Sequence, residues 1–348
     1  MLSENERAQT IVQENTRALP LRKRLLAAAG LFFLAPLVGE FLLGNLPITW
    51  LWVLPMLALF YGGGALLVRE SARRLNLNWA GIVLLALAYA VIEEAFVTQS
   101  LFNPNFLGMR LLDYGYIPSL GISIWWTVFV LGIHTVWSIS VPIALIESLS
   151  PRMARVPWFG PVGLIITALL FLAGTFLLAS TQQQDPFMAS SGQFIGSGVV
   201  VVGLIIAAVT LGGKQTKSSF DAKQPPRPFK VGLAMFLLSS GFMGMAIVHN
   251  IIPAVVNVLA MLGLAFAAAA VLWRWSSRSG WSNMHRFAAA AGLVLTYIWY
   301  SFIQVPSTGD TNPGIDAAGN VIFALAALIL LAIAGKRAAD EVSNPDEV

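Results

Sequence analysis

The sequence predicts an all-α fold, a polytopic transmembrane helix bundle of about ten spans with both termini cytoplasmic. Three observations predict it. The 348 residues are 57% hydrophobic and only 11% charged, with a mean hydropathy of +0.74, more apolar surface than a water-soluble core can hide. Apolar runs of about 20 residues, the length that crosses roughly 30 Å of hydrocarbon, recur along the whole chain. The basic residues sit between those runs with a strong one-sided bias.

The first run, Leu25 to Leu43, follows a polar segment, residues 1–24, that lacks the short apolar region and small-residue cleavage site of a secretory signal. Pro47 to Val68 and Trp79 to Leu101 come next, separated by the basic stretch around Arg73. Ser123 to Ile146, Trp158 to Ser180 and Phe194 to Gly212 complete a first membrane domain, residues 25–212. A polar, basic, proline-bearing linker, residues 213–230, interrupts the hydropathy and reads as cytoplasmic. Val231 to Val248, Pro253 to Trp273, Phe287 to Val305 and Asn320 to Ala334 form a second membrane domain, residues 231–335, before a tail at 336–348.

With the N-terminus inside, strict alternation places 20 of the 21 Lys and Arg residues in inside segments and leaves Arg110 outside. One missed or invented span would destroy that asymmetry. Tryptophan supports the same limits, because all but Trp137 lie near a predicted span end, where an indole suits the headgroup region. The chain therefore reads as a multi-pass protein of the cell membrane. Its basic residues act as topology signals in contact with the bilayer, not as a nucleic-acid surface. The absence of cysteine removes thiolate metal sites and Cys nucleophiles.

Charged side chains inside a span are costly and mark function. The spans hold Glu40, the adjacent pair Glu93 and Glu94, His134 at mid-depth and His249 at an outer end, with no Lys or Arg inside any of them. The carboxylates must find their counter-charge in histidines or protons. Because neighbouring helical residues project about 100° apart, one Glu is expected to enter a polar interior and the other to bond to a neighbouring helix. Ser123, Thr127, His134 and Ser138 fall on one face of the fourth span, and Tyr297, Ser301 and Gln304 form a similar stripe on the ninth. "YGGGALL" at Tyr61 to Leu67, and Gly192 with Gly196, read as sites of close helix approach. The outer loop "FNPNFLGMRLLDYGYIPSLG" is apolar enough to lie on the bilayer or fold over a cavity mouth.

A Glu-Glu pair in one span with single histidines in later spans resembles the glutamate-dependent intramembrane proteases of the CPBP (Abi) and PrsW families. The resemblance implies that Glu93 activates water, that Glu94 accompanies it and that His134 and His249 polarise or orient. The CPBP pattern has Arg four residues after the second Glu, where this chain has Thr98, and Asn four residues after the last His, where Ser138 or Pro253 stands. Imidazole and carboxylate ligands also suit a metal by chemistry, but no local spacing of the HExxH kind supports one, so no cofactor or metal is assigned. Three functions fit these residues: a divergent intramembrane hydrolase, a proton-coupled small-molecule transporter, and a noncatalytic membrane assembly or sensor protein.

Overall fold

The computed structural model describes residues 20–181, 187–213, 223–308 and 312–343, with side chains through 340. Most of the predicted N-terminal segment, much of the linker and the end of the C-terminal tail lie outside these residues. Where the hydropathy pattern asks for helices, helices form: α1 (Leu21–Leu42), α2 (Ile48–Arg74), α3 (Trp79–Val97), α4 (Ile124–Leu149), α5 (Pro161–Thr181), α6 (Ser191–Leu211), α7 (Pro228–Ile247) and α8 (Ala254–Ser276). The last two are α9 (Asn283–Tyr300) and α10 (Pro313–Asp340).

Local chemistry starts several of them where the sequence offers a cap. The Asn78 side chain accepts from the Ala80 and Gly81 amides to open α3, Ser123 accepts from Trp126 to open α4, and Ser190 with Gln193 forms a capping box on α6. Between α3 and α4 the outer loop folds into a short antiparallel hairpin, β1 (Tyr116–Ile117) and β2 (Ile122–Ser123). Tyr114 Oη donates to Ile252 O at 2.7 Å, which ties that hairpin to the α7–α8 connection.

Among the described residues, nine helices are long and apolar enough to cross a membrane. The exception is α9, at the ninth predicted span. Its first turn carries Asn283, His285 and Arg286, and 11 of its 18 residues are buried, so its neighbours rather than lipid supply its surroundings. It packs on α7, α10 and α4. Enclosure differs widely across the bundle: 78% of the apolar window of α4 is buried, against 11% for α5 and for α6. Thus α4 is the central helix, and α5 and α6 turn their leucines, valines and isoleucines outward, as acyl-chain contact requires.

One expectation fails here. Gly192 and Gly196 make no close approach, since a Cβ added at Gly196 would meet nothing within 4 Å. The basic residues that follow the second predicted span are in part buried. Helix α2 continues past Val68 and carries Arg69 fully buried, its Nη1 donating to Glu70 at 2.6 Å, its Nη2 to Met153 O at 2.7 Å, and its guanidinium 3.4 Å from the centroid of the Trp158 ring. Glu147 of α4 takes a bidentate pair from Arg73 at 2.8 and 2.5 Å and lies 3.2 Å from Arg69 Nε. The physical reason is local neutralisation: two buried carboxylates and loop carbonyls compensate a charge that would otherwise be excluded. Glu70 in turn accepts from the backbone amides of Trp158 and Phe159, so this network clamps the α4–α5 connection onto α2.

Candidate functional site

At the ends of α1 and α3 and within α2 and α4, the helix hydrogen bonding loosens for one turn. Four π-helical turns occur, at Leu37–Leu42, Ala58–Gly62, Glu93–Val97 and His134–Ser140. Each carries a polar residue of one cluster: Glu40, Tyr61, Glu93 with Glu94, and His134 with Ser138. A π-turn inserts an extra residue, widens the helix and re-aims the side chains that follow, and such turns concentrate at functional sites.

The imidazole of His134 lies between the two carboxylates. Its Nδ1 is 3.2 Å from Glu93 Oε2 and its Nε2 is 3.0 Å from Glu94 Oε1. Both members of the Glu pair therefore converge on the same side chain. The sequence expectation of divergence fails because the two ring nitrogens point in opposite directions, so two acids on different sides of the ring reach one base.

The environments of the two acids differ. Glu94 is held on all sides: Ser100 Oγ donates to its Oε2, Thr98 Oγ1 does so at 3.1 Å, and Trp126 Nε1 donates to Ser100 Oγ at 2.9 Å. Thr98, standing where the CPBP pattern has Arg, thus supplies a neutral donor to the second Glu. Glu93 Oε2 has no hydrogen bond of good geometry, because His134 Nδ1 directs its bond to Ser138 Oγ at 3.0 Å. The phenols of Tyr61 and Tyr89 both face Glu93, and Tyr89 Oη makes no directional hydrogen bond. A buried carboxylate oxygen without a donor is rare.

Glu40 joins the cluster through Tyr61, whose Oη donates to Glu40 Oε1 at 2.5 Å while Asn45 Nδ2 donates to Oε2 at 2.6 Å. The Tyr61 ring lies 5.9 Å from that of His134, so three carboxylates, one imidazole and two phenols share one interior region. Glu40, Glu93, Glu94 and His134 are each at most 7% exposed. Small residues permit the convergence: a Cβ at Gly39 would sit 2.7 Å from Ser138 Oγ, and one at Gly64 would sit 2.2 Å from the Tyr89 ring.

His249 is not brought to this site. It stacks on Trp125 at 4.4 Å and meets Tyr114 edge-on at 5.4 Å, with Nδ1 bonded to Ala246 O at 2.7 Å, and so helps to seat the outer loop. Of the polar stripe on α4, only His134 and Ser138 belong to the cluster. Thr127 bonds back to Ser123 O, and Ser123 donates to Tyr114 O. The stripe on α9 is likewise local: Tyr297 stacks on Trp137 at 4.5 Å, and Ser301 bonds to Ile298 O. Sequence reasoning missed Tyr61, Tyr89, Asn45 and Ser100 as partners. The signal for Tyr61 was present, since a tyrosine opens the triple-glycine run whose close packing was noted.

The donor atoms of Glu93, Glu94 and His134 lie within 4.8 Å of one another. One imidazole nitrogen with carboxylate oxygens suits a divalent first-row metal in donor type. Both ring nitrogens are already engaged, Nε2 by Glu94 at 3.0 Å and Nδ1 by Ser138 Oγ at 3.0 Å. Without a metal, the arrangement has the chemical groups to hold, give and take protons at Glu93, with the imidazole of His134 between Glu93 and Glu94.

A family model described as an uncharacterized membrane protein family matches residues 31–340, which include every residue of the cluster. No curated protein and no solved structure matches the chain.

Proposed function

We propose, for a chain that belongs to this uncharacterized membrane protein family, that the cluster is the acid–base site of a divergent intramembrane hydrolase. One observation carries the reading: Glu93 keeps a buried oxygen without a hydrogen-bond donor beside an imidazole that Glu94 anchors from the other side. In this reading a water bound at Glu93 gives its proton to that carboxylate as its oxygen attacks a substrate carbonyl. The proton then passes to the leaving group, and His134 donates a hydrogen bond to the developing oxyanion. Glu94 does no chemistry. It fixes the ring, as the third member of a nucleophile–base–orienter set does. The enclosure of the site by four membrane helices favours a substrate that approaches from within the bilayer.

The test uses membranes containing the full chain in water enriched in oxygen-18. Hydrolysis of any ester or amide leaves the label in the product, so mass spectrometry of membrane peptides and lipids needs no prior substrate. Wild type should generate labelled products that Glu93→Gln makes about 10²–10⁴ times more slowly, the usual contribution of a general base. Equal labelling by both proteins would sink the hydrolase reading. A second reading, proton-coupled transport, is favoured by the low exposure of Glu40, Glu93 and Glu94 and by the Tyr61 link between Glu40 and the pair. It predicts Glu93-dependent proton movement in liposomes and no label.

A further inference from the structure

Glu93, Glu94 and His134 are each at most 6% exposed, yet an acid–base site must exchange protons with water. On the Glu94 side the hydrogen bonds run through Ser100 Oγ to Trp126 Nε1 and stop there, because an indole N–H donates and cannot accept. On the Glu93 side stands Tyr61, whose hydroxyl can do both. That hydroxyl donates to Glu40 Oε1 at 2.5 Å and is close enough to Glu93 to act on its carboxyl as a side-chain hydrogen-bond partner. One phenol thus stands between two carboxyl groups.

The backbone places Tyr61 there. Gly62 beside it brings α2 so close to α1 that a Cβ would sit 2.1 Å from Phe32 O, and the π-turns Ala58–Gly62 and Leu37–Leu42 carry Tyr61 and Glu40. Asn45 Nδ2 holds Glu40 Oε2 at 2.6 Å, which leaves Oε1 for the phenol. Asn45 is half-buried, and its carbonyl accepts from the amide of Ser307, also half-buried. Glu40 therefore lies one hydrogen bond from residues that reach the protein surface, at the end of the bundle where α1 closes and α2 begins.

We propose that Tyr61 is a proton relay between Glu93 and Glu40, and that Glu40 is the group through which the buried site exchanges protons with water at that end of the bundle. In each transfer the O–H bond of protonated Glu93 breaks as one forms at Tyr61 Oη, and the original Tyr61 O–H breaks as one forms at Glu40 Oε1. The phenol is neutral before and after. Glu93 is left a carboxylate and Glu40 a carboxylic acid, which gives its proton to water, and the Tyr61 hydroxyl then rotates back to Glu40. Linked acids of this kind carry protons in other membrane proteins. The inference rests on the reading of Glu93 as the group that takes up and gives up a proton. It adds the route that regenerates the carboxylate, since ester hydrolysis leaves one proton behind when the product acid ionises.

The experiment follows the full chain in nanodiscs by infrared spectroscopy after transfer from water to deuterium oxide. The carbonyl stretch of a protonated carboxyl shifts on deuteration, and Glu93→Gln identifies the Glu93 band by removing it. Spectra are taken at a pH acid enough for that band to be present. Tyr61→Phe should slow deuteration of Glu93 by about 10²-fold or more, the low end of what a positioned proton-transfer group contributes, while backbone amide exchange in the same spectra is unchanged. Glu40→Gln keeps a side chain of similar size that cannot take the proton and should slow it likewise, which decides the matter if Tyr61→Phe does not fold. Deuteration as fast in the variants as in wild type, slowing matched by the amides, or no Glu93 carboxyl band at any pH at which the protein is folded would overturn the proposal. Oxygen-18 labelling separates the two readings. Labelled product with unslowed deuteration in the variants removes the relay and keeps the hydrolase, whereas slowed deuteration without labelled product keeps the relay and removes the hydrolase.

Discussion

Replacing each member of the Glu pair by Leu should have very unequal effects on stability, although the two residues are adjacent and both buried. Removing Glu94 leaves the Ser100 hydroxyl without its acceptor and His134 Nε2 without its partner, while Thr98 retains Glu93 O at 3.2 Å. Each buried polar group left unsatisfied costs about 1–3 kcal/mol, so Glu94→Leu should lose about 2–6 kcal/mol. Removing Glu93 orphans much less: His134 Nδ1 keeps Ser138, and Tyr61 keeps Glu40. It also removes a buried charge that carries a desolvation cost, so Glu93→Leu should change stability by less than about 1 kcal/mol or raise it. The assay is unfolding of the purified protein by sodium dodecyl sulfate in mixed micelles, read by tryptophan fluorescence. A Glu93→Leu variant as unstable as Glu94→Leu, or the reverse order, would refute the division of labour on which the functional reading rests.

Three further outcomes follow from the same structure. Arg69→Met leaves Glu70 and Glu147 buried with less compensation and should cost about 3–5 kcal/mol in the same titration. Gly62→Ala places a Cβ 2.1 Å from Phe32 O, a backbone atom that cannot rotate away, and should cost about 1–3 kcal/mol or more, whereas Gly196→Ala on the open face of α6 should be neutral or mildly stabilising. His285, at the start of α9, accepts from the Ser282 amide at Nδ1 and donates from Nε2 to Pro226 O, and burial lowers its pKa below the usual 6.5. Its contribution to stability is present above the unfolded value near 6.5 and is lost as pH falls through the depressed folded value. Protection of the Ser282 amide, corrected for its intrinsic exchange rate, should fall on acidification in wild type, and pH-independent protection would contradict this role.

The amino-acid sequence alone determined the class of this protein, the approximate position of each helix and the presence of costly acids in the first and third spans. Those properties are local. Hydropathy sums over a run of neighbours, and a lone carboxylate is visible wherever it stands among apolar residues. The tertiary structure alone decided which polar groups meet. Glu93 and Glu94 reach the same imidazole only because π-turns in α3 and α4 reset the register, and no spacing along the chain encodes a loosened hydrogen-bond ladder. Tyr61 looked like an ordinary aromatic beside glycines until packing put its hydroxyl on Glu40, 21 residues away. His249 carried the same signal as His134 and went elsewhere, because a face of Trp125 was nearer to it than any carboxylate. Arg69 shows the converse: its charge looked like a loop marker because its neutralising partner Glu147 lies on another helix, where only the fold brings the two together.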